Sequence, residues 1–376
     1  MLPGFKINSE DYTFLGTKAA VFTYYGCQLE YTGSDIINEY TSDETPMNIY
    51  ANLHFALEAL RDQGKPPNVM VVGPPDAGKT SLCKILCAYA NKSGNRFPMF
   101  VNLDPSIGVY SVPGGLSAAP ISDILDVEDA TGGWGSSQIN GPAVLHPKQP
   151  LVYYYGLESA STNTKYYKHI VSRLALGVTA RLSKDKRTRD IGVIVDTPGV
   201  GLTDDKEKGY NIISSIISDF NINVLVVVGD ERLYSSLQKK YKEKDALTVL
   251  KVKSSGGCVD REPSFIRSLQ SLSIKEYFYG SVKQPLDPYS VTVDFSQIVV
   301  YRVAEEKSLN ITSVLPIGSE ETTEGNNSDS ETGNPYLIKL EPSAILQNCV
   351  MAMLNAEPND PIDTLIHSEV LGFVHV

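Results

Sequence analysis

Gly73–Leu82, GPPDAGKTSL, follows the apolar run Val69-Met70-Val71-Val72 and precedes CKILCAYANK, so the stretch reads as strand, glycine loop and helix. It fits the pattern G-x-x-x-x-G-K-[ST] at every fixed position, with Gly73, Gly78, Lys79 and Thr80. Glycines let backbone N–H groups turn inward on a polyphosphate, at a helix N-terminus whose dipole favours anions. Lys79 would then reach the β- and γ-phosphates, and the Thr80 hydroxyl would ligate Mg²⁺. The predicted nucleotide-holding set in this loop is Gly73, Asp76, Ala77, Gly78, Lys79, Thr80 and Ser81. The bland alternative is an ordinary glycine turn with a lysine in the first helical turn; the strand before and the helix after argue against it.

Outward from the loop, the pattern is one of alternating strands and helices. A helix is predicted over TPMNIYANLHFALEALRDQ, with Thr45 or Asp43 as its cap and Gly64-Lys65-Pro66-Pro67 as its stop. After the loop come an apolar strand PMFVNLD (98–104), a glycine- and proline-rich traverse to about 150, and LVYYYGLE. Then follow a helix in TNTKYYKHIVSRLALGVTARLSKD, a strand in DIGVIVDTPG (190–199), a helix YNIISSIISDF and a strand INVLVVVGD (222–230). Such alternation predicts an α/β domain on a parallel sheet, with the glycine loop, Asp104 and Asp196 all at strand C-terminal ends, where these sheets bind ligands. On either side the period shortens to that of strands. DYTFLG, KAAVFTYYG and CQLEYTG predict a small N-terminal β unit, and SVTVDF, QIVVYRV and YLIKLEP predict a C-terminal one. The acidic GSEETTEGNNSDSETGN (318–334) is too polar to bury itself and reads as a loop. The last residues, VLGFVHV, read as a strand with nothing after it to pair, which predicts a natural fold that continues further or a copy that is cut short. The expected division is 1–44, 45–280 and 281–376.

The 376 residues are 42% hydrophobic, enough for packed cores. A net charge of −11 gives no basic field to draw nucleic acid or an acidic membrane, so any RNA contact must be local or indirect. The five cysteines, Cys27, Cys83, Cys87, Cys258 and Cys349, form no C-x-x-C pair, which points to a reducing compartment and no zinc site. Cys83 and Cys87 stand one helical turn apart and read as small buried residues. MLPGFKINSE has no apolar h-region and no run reaches membrane-spanning length, so a soluble intracellular protein is expected.

Two carboxylates could complete the site. Asp104, after MFVNL, is placed to hold Mg²⁺ beside Thr80 or to take a proton from a nucleophile; the plainer reading is a turn-initiating Asp before Pro105. Asp196 lies in DTPG, which resembles the switch motif of GTPases, where the Asp organises Mg²⁺ and the Gly senses the γ-phosphate. No Asn-Lys-x-Asp guanine reader accompanies it: the only Asn-Lys, at Asn91-Lys92, lacks the Asp.

GPPDAGKTSL, FVNLDPSIGVYSVPGGLSAAPISDIL, KQPLVYYYGLE, VDTPG, VLVVVGDERLYSSL, LKVKSSGGCVDR and IKEYFYGS, in this order, resemble the P-loop family of polynucleotide 5′-hydroxyl kinases. Within it the chain is most similar to the fungal type that serves as a subunit of the pre-mRNA cleavage and polyadenylation factor, over nearly its whole length. The resemblance implies a central P-loop NTPase domain flanked by small N-terminal and C-terminal β domains, with ATP and Mg²⁺ as ligands. It also implies a nuclear location, a scaffold subunit linked to RNA polymerase II as partner, and contact with other 3′-end processing subunits. Lys18 matches a family position that contacts the adenine nucleotide from the N-terminal domain. Family sequence extends before Met1 and after Val376, including an acidic nucleotide contact, so both flanking domains are expected to be incomplete.

The departures from the family pattern concern transfer chemistry. Where active kinases carry Asp-x-Gly-Gln, this chain has Asp104-Pro105-Ser106-Ile107, keeping the acid and losing its polar partner. Where they carry Thr-x-Gly-Trp to clasp RNA, it has Thr197-Pro198-Gly199-Val200, and its one tryptophan, Trp134, lies elsewhere. Of two lid arginines, Arg261 matches the first; the second position falls on Ile266, and Arg267 would point about 100° away on a helix. Asp104 and Arg261 thus read as catalytic remnants. The expectation is an ATP-binding, kinase-inactive subunit of the 3′-end cleavage machinery. An active RNA 5′-hydroxyl kinase is the alternative, and a GTPase-like switch on DTPG is the third.

Overall fold

Five apolar runs that alternate with helices must either lie side by side or leave both faces wet, and they form the core of one sheet. The computed structural model describes residues 4–7, 10–13, 20–32, 41–122, 125, 150–199, 206–244, 246–280, 285–305, 336–341, 343 and 346–376. Lys18, Trp134, Val200 and the acidic segment 318–334 lie outside the described residues. The central sheet holds β4 (Asn68–Val72), β5 (Met99–Asn102), β6 (Gly115–Pro120), β7 (Leu151–Tyr154), β8 (Val193–Asp196), β9 (Val224–Val228) and β10 (Thr248–Val252). Its order is β10-β9-β4-β8-β5-β6-β7. The first five in that order run parallel, whereas β6 pairs antiparallel with both β5 and β7. The expected parallel sheet is therefore mixed, because the glycine- and proline-rich traverse turns back as β6 instead of crossing over through a helix.

Strand alternation sorts the apolar side chains into two layers. Met70, Val72, Val101, Val195, Leu225 and Val227 face α3 (Thr164–Lys184), which the one-turn α4 (Lys186–Arg189) follows, α5 (Lys206–Asp219) and α6 (Glu231–Tyr241). Val69, Val71, Phe100, Ile194, Val224 and Val226 face α1 (Met47–Asp62) and α2 (Lys79–Gly94). A parallel strand covered on both faces reads as an unbroken apolar run, which is what VLVVV at β9 shows. Cys83 and Cys87 are buried in the second layer. The first helix starts at an N-cap Pro46, with Thr45 Oγ1 accepting from the Met47 N–H at 3.3 Å.

The flanking units are small antiparallel sheets. β1 (Gly4–Ile7) pairs with both β2 (Glu10–Thr13) and β3 (Leu29–Thr32). Residues 20–28, expected to continue a strand through KAAVFTYYG, carry none. At the other end β11 (Val300–Val303) pairs with β12 (Leu337–Leu340), and β13 (Val350–Leu354) with β14 (Val370–His375). VLGFVHV, expected to lack a partner, folds back on β13. SVTVDF joins no ladder among the described residues and ends in a 3₁₀ turn at Phe295–Gln297. Its alternating valines have nothing to pack on: Val291 is 69% exposed. Asp294 instead accepts from the Ser296 N–H and starts the turn.

Two side chains join the C-terminal strands to the central domain. Asn163 caps α3 through the Tyr166 N–H (3.0 Å) while its amide donates to the Ala304 carbonyl (2.9 Å), all of it buried. The hydroxyl of Tyr277, on α7 (Pro263–Tyr279), accepts from the Phe373 N–H at 3.1 Å. None of the helices of the described residues is long and apolar enough to cross a membrane.

Candidate functional site

The loop Gly73–Gly78 leaves β4 where its neighbours come closest. A Cβ on Gly73 would stand 2.5 Å from the Val228 carbonyl oxygen of β9, so only glycine passes. Gly78 adopts a left-handed backbone (φ +89°) and forms the N-cap of α2 with no side-chain cap, leaving the first N–H groups of that helix directed at the loop. Gly199 of the DTPG turn closes the other side, where a Cβ would meet the Pro75 Cα at 2.8 Å.

Lys79, 6% exposed, donates from Nζ to the Pro74 carbonyl at 2.8 Å. Burial lowers its pKa, and the carboxylates of Asp196, Asp104 and Asp76 oppose that. Thr80, next in α2, donates from Oγ1 to Asp196 Oδ2 at 2.5 Å. Asp196 ends β8 and is 1% exposed, with Oδ1 lacking any hydrogen-bond partner. Burial pushes its carboxyl up to about 6, against the stabilising effects of the Thr80 bond and Lys79, with Asp104 adding to the rise. Thr197 Oγ1 donates to the Val71 carbonyl at 2.7 Å and ties the end of β8 to β4.

Asp104 is half-buried after β5. Its Oδ1 accepts from the Ser106 N–H at 3.0 Å, the arrangement of a turn-initiating Asp, and its charge still reaches Lys79. Asp76 sits at φ +57° in the loop and takes two bonds from Arg261: Nε to Oδ1 at 2.5 Å and the backbone N–H to Oδ2 at 2.9 Å. Arg267 is exposed and bonds from Nε to the Pro263 carbonyl of its own helix, away from the loop, while Ser81 lies exposed on α2.

Sequence reasoning grouped Thr80 with Asp104. The structure brings Thr80 to Asp196, because strand order places β8, not the next strand in sequence, against β4. A signal was present: IGVIVD is a buried apolar strand that ends on an acid. The Asp76–Arg261 pair had no signal, since 185 residues separate its members. A magnesium nucleotide fits the residues present. An orphaned buried carboxylate oxygen and a hydroxyl offer hard oxygen ligands of the kind Mg²⁺ takes, and an uncapped helix N-terminus with a buried lysine suits phosphates.

Comparison with known proteins gives a consistent picture. Residues 73–280 match the family described as mRNA cleavage and polyadenylation factor CLP1 P-loop. Residues 7–64 match the N-terminal beta-sandwich domain of polyadenylation factor, and residues 286–376 match pre-mRNA cleavage complex II protein Clp1. The chain is similar to the mRNA cleavage and polyadenylation factor clp1 of Botryotinia fuckeliana, 42% identical over 97% of this chain and 77% of that protein. It is also similar to that of Phaeosphaeria nodorum, 40% identical over 98% and 78%. Among solved structures it resembles the wild-type Clp1p–Pcf11p (454–563) complex, with a TM-score of 0.79 and 29% identity over 99% of this chain and 85% of that one. A second, described by an extended interface between Pcf11p and Clp1p and the structural basis for ATP loss in a glycine-to-arginine point mutant, gives 0.78 and 28%, over 99% and 86%.

Proposed function

This chain belongs to the family of mRNA cleavage and polyadenylation factor CLP1, and on that premise we propose that it is an ATP-binding, kinase-inactive subunit of the nuclear pre-mRNA cleavage machinery. ATP with Mg²⁺ serves as a retained ligand. Lys79 and the N–H groups at the start of α2 hold the phosphates, Thr80 and Asp196 hold the metal with Asp104 nearby, and Lys18 contacts the nucleotide from the N-terminal unit. The nucleotide joins loop, helix and lid into one surface for a partner. By likeness to the Clp1p–Pcf11p complexes, that partner is a scaffold subunit of the Pcf11 kind linked to RNA polymerase II. RNA contact is indirect or local.

The observation that carries this reading is the contrast between the two halves of the site. The nucleotide half is assembled around Lys79, Thr80 and Asp196. In the transfer half, Arg261 is bound to Asp76, the second arginine position is Ile266, and Arg267 bonds to its own helix. Phosphoryl transfer rests on positioning and charge stabilisation, and loss of a cationic clamp costs about 10³–10⁵ in rate.

The test is to purify the chain without added nucleotide, denature it and identify what is released, then to incubate it with 5′-hydroxyl RNA and labelled ATP. Intact ATP near one per chain and no labelled RNA are expected. Label transfer that disappears with Lys79→Ala would overturn the reading in favour of a working kinase, and bound guanine nucleotide would favour a GTPase-like switch.

A further inference from the structure

Residues 253–262 connect β10 to α7 across the mouth of the phosphate loop and are fastened along their length. At the start, the Tyr50 hydroxyl donates to the Lys253 carbonyl at 3.2 Å. Ser254 fits against Gly229, where a side chain would collide with its Oγ at 2.1 Å. In the middle, Cys258 Sγ lies 2.8 Å from the place where a Cβ on Gly78 would stand. At the end, Arg261 grips Asp76 through side chain and backbone together. Both partners are partly buried, at 31% and 13% side-chain exposure, so this is not a pair that solvent screens away.

Asp76 itself adopts a left-handed backbone, a region that Asp tolerates better than most L residues. The charge-assisted two-point contact fixes the loop at Asp76 and the strap at Arg261 in one interaction. Both groups lie in the two segments, phosphate loop and strap, that also meet at Gly78 and Cys258.

We propose that Asp76 and Arg261 form a latch that holds the 253–262 strap on the phosphate loop and sets the rate at which bound nucleotide leaves. The inference rests on the nucleotide reading above and adds its regulation. Arg261 here is a positioning residue, spent on the loop carboxylate. Breaking a partly buried charge pair acts mainly on dissociation, so the rate constant for release should rise about 10- to 100-fold while the association rate changes less than about threefold.

The experiment is stopped-flow release of a fluorescent ATP analogue with Mg²⁺ from the full chain, comparing wild type, Arg261→Ala, Asp76→Asn and the double variant. Faster release in both single variants, with the double no faster than either, is the expected result and is one that independent structural damage would not produce. Arg261→Ala leaves the loop sequence intact, so it tests the latch even where Asp76→Asn perturbs folding. Unchanged release in Arg261→Ala, with normal binding by wild type, overturns the latch and leaves the nucleotide reading standing. Failure of the wild type to bind the analogue overturns both.

Discussion

Replacing Asp196 by asparagine should make the metal-free protein more stable at neutral pH while destroying its response to Mg²⁺-nucleotide. The carboxyl titrates at about 6 in the fold and at 3.8 in an ordinary environment. Below 3.8 it is protonated in both states and costs nothing. As pH rises from 3.8 through 6 the unfolded chain releases its proton first, so stability falls across that window and stays lower above it. The gap of about 2.2, at about 1.36 kcal/mol for each pH step, amounts to about 3 kcal/mol at pH 8. Asparagine copies the neutral carboxyl at every pH. Some of the gain is lost because Lys79 forfeits the first of the carboxylates that support its charge, so a net of about 1–3 kcal/mol is expected. For 376 residues, at about 1–2 °C per kcal/mol, that is a rise of a few degrees in Tm. With Mg²⁺ and ATP the order should invert, since saturating ligand at about 1,000 times Kd adds about 4 kcal/mol to a protein that binds it and nothing to one that does not. Thermal melts from pH 5 to 8 in EDTA, repeated with Mg²⁺-ATP, read both effects. The reasoning is refuted if Asp196→Asn is the less stable protein at pH 8 in EDTA, or if the difference between variant and wild type does not grow between pH 5 and 7.

Gly73→Ala should abolish nucleotide binding by titration calorimetry and cost about 1–3 kcal/mol of stability, since the new methyl meets a backbone oxygen of β9 that cannot turn aside; binding at wild-type affinity would mean that the loop can leave the sheet freely. Arg61 is 5% exposed, donates from Nε to the Ile191 carbonyl at 2.9 Å and from Nη1 to Glu58 at 2.5 Å, and Glu58 also pairs with Arg96 at 2.6 Å. Arg61→Ala therefore strands a buried carbonyl and unbalances the pairing between α1 and the end of α2, at about 3–5 kcal/mol in urea unfolding, with Arg61→Met recovering part of it; a loss below about 1 kcal/mol would show that Arg96 alone satisfies Glu58.

What the chain order reveals and what it hides divides along a physical line. The phosphate loop was legible because its parts are adjacent: strand, glycines, lysine and helix occupy one continuous stretch whose spacing is fixed by the backbone. β9 was legible because five consecutive buried residues leave a run no loop would carry. β6, GLSAAP, is equally buried yet invisible, since its small residues supply neither alternation nor a long apolar run. SVTVDF shows the converse, an alternation with no surface to bury it. Sheet order follows from which layers of side chains fit, and that is settled by the whole core, not by any window of sequence. From sequence the Thr80 hydroxyl is consequently grouped with Asp104, at the end of the next strand, whereas in the fold it bonds to Asp196, at the end of the strand packed beside the loop. The same holds for the lid: a match to a motif could place Arg261 near the phosphates, but only the folded chain shows that Asp76 already holds it. A residue kept in a motif is thus evidence for position, and its role depends on which neighbour claims its charge.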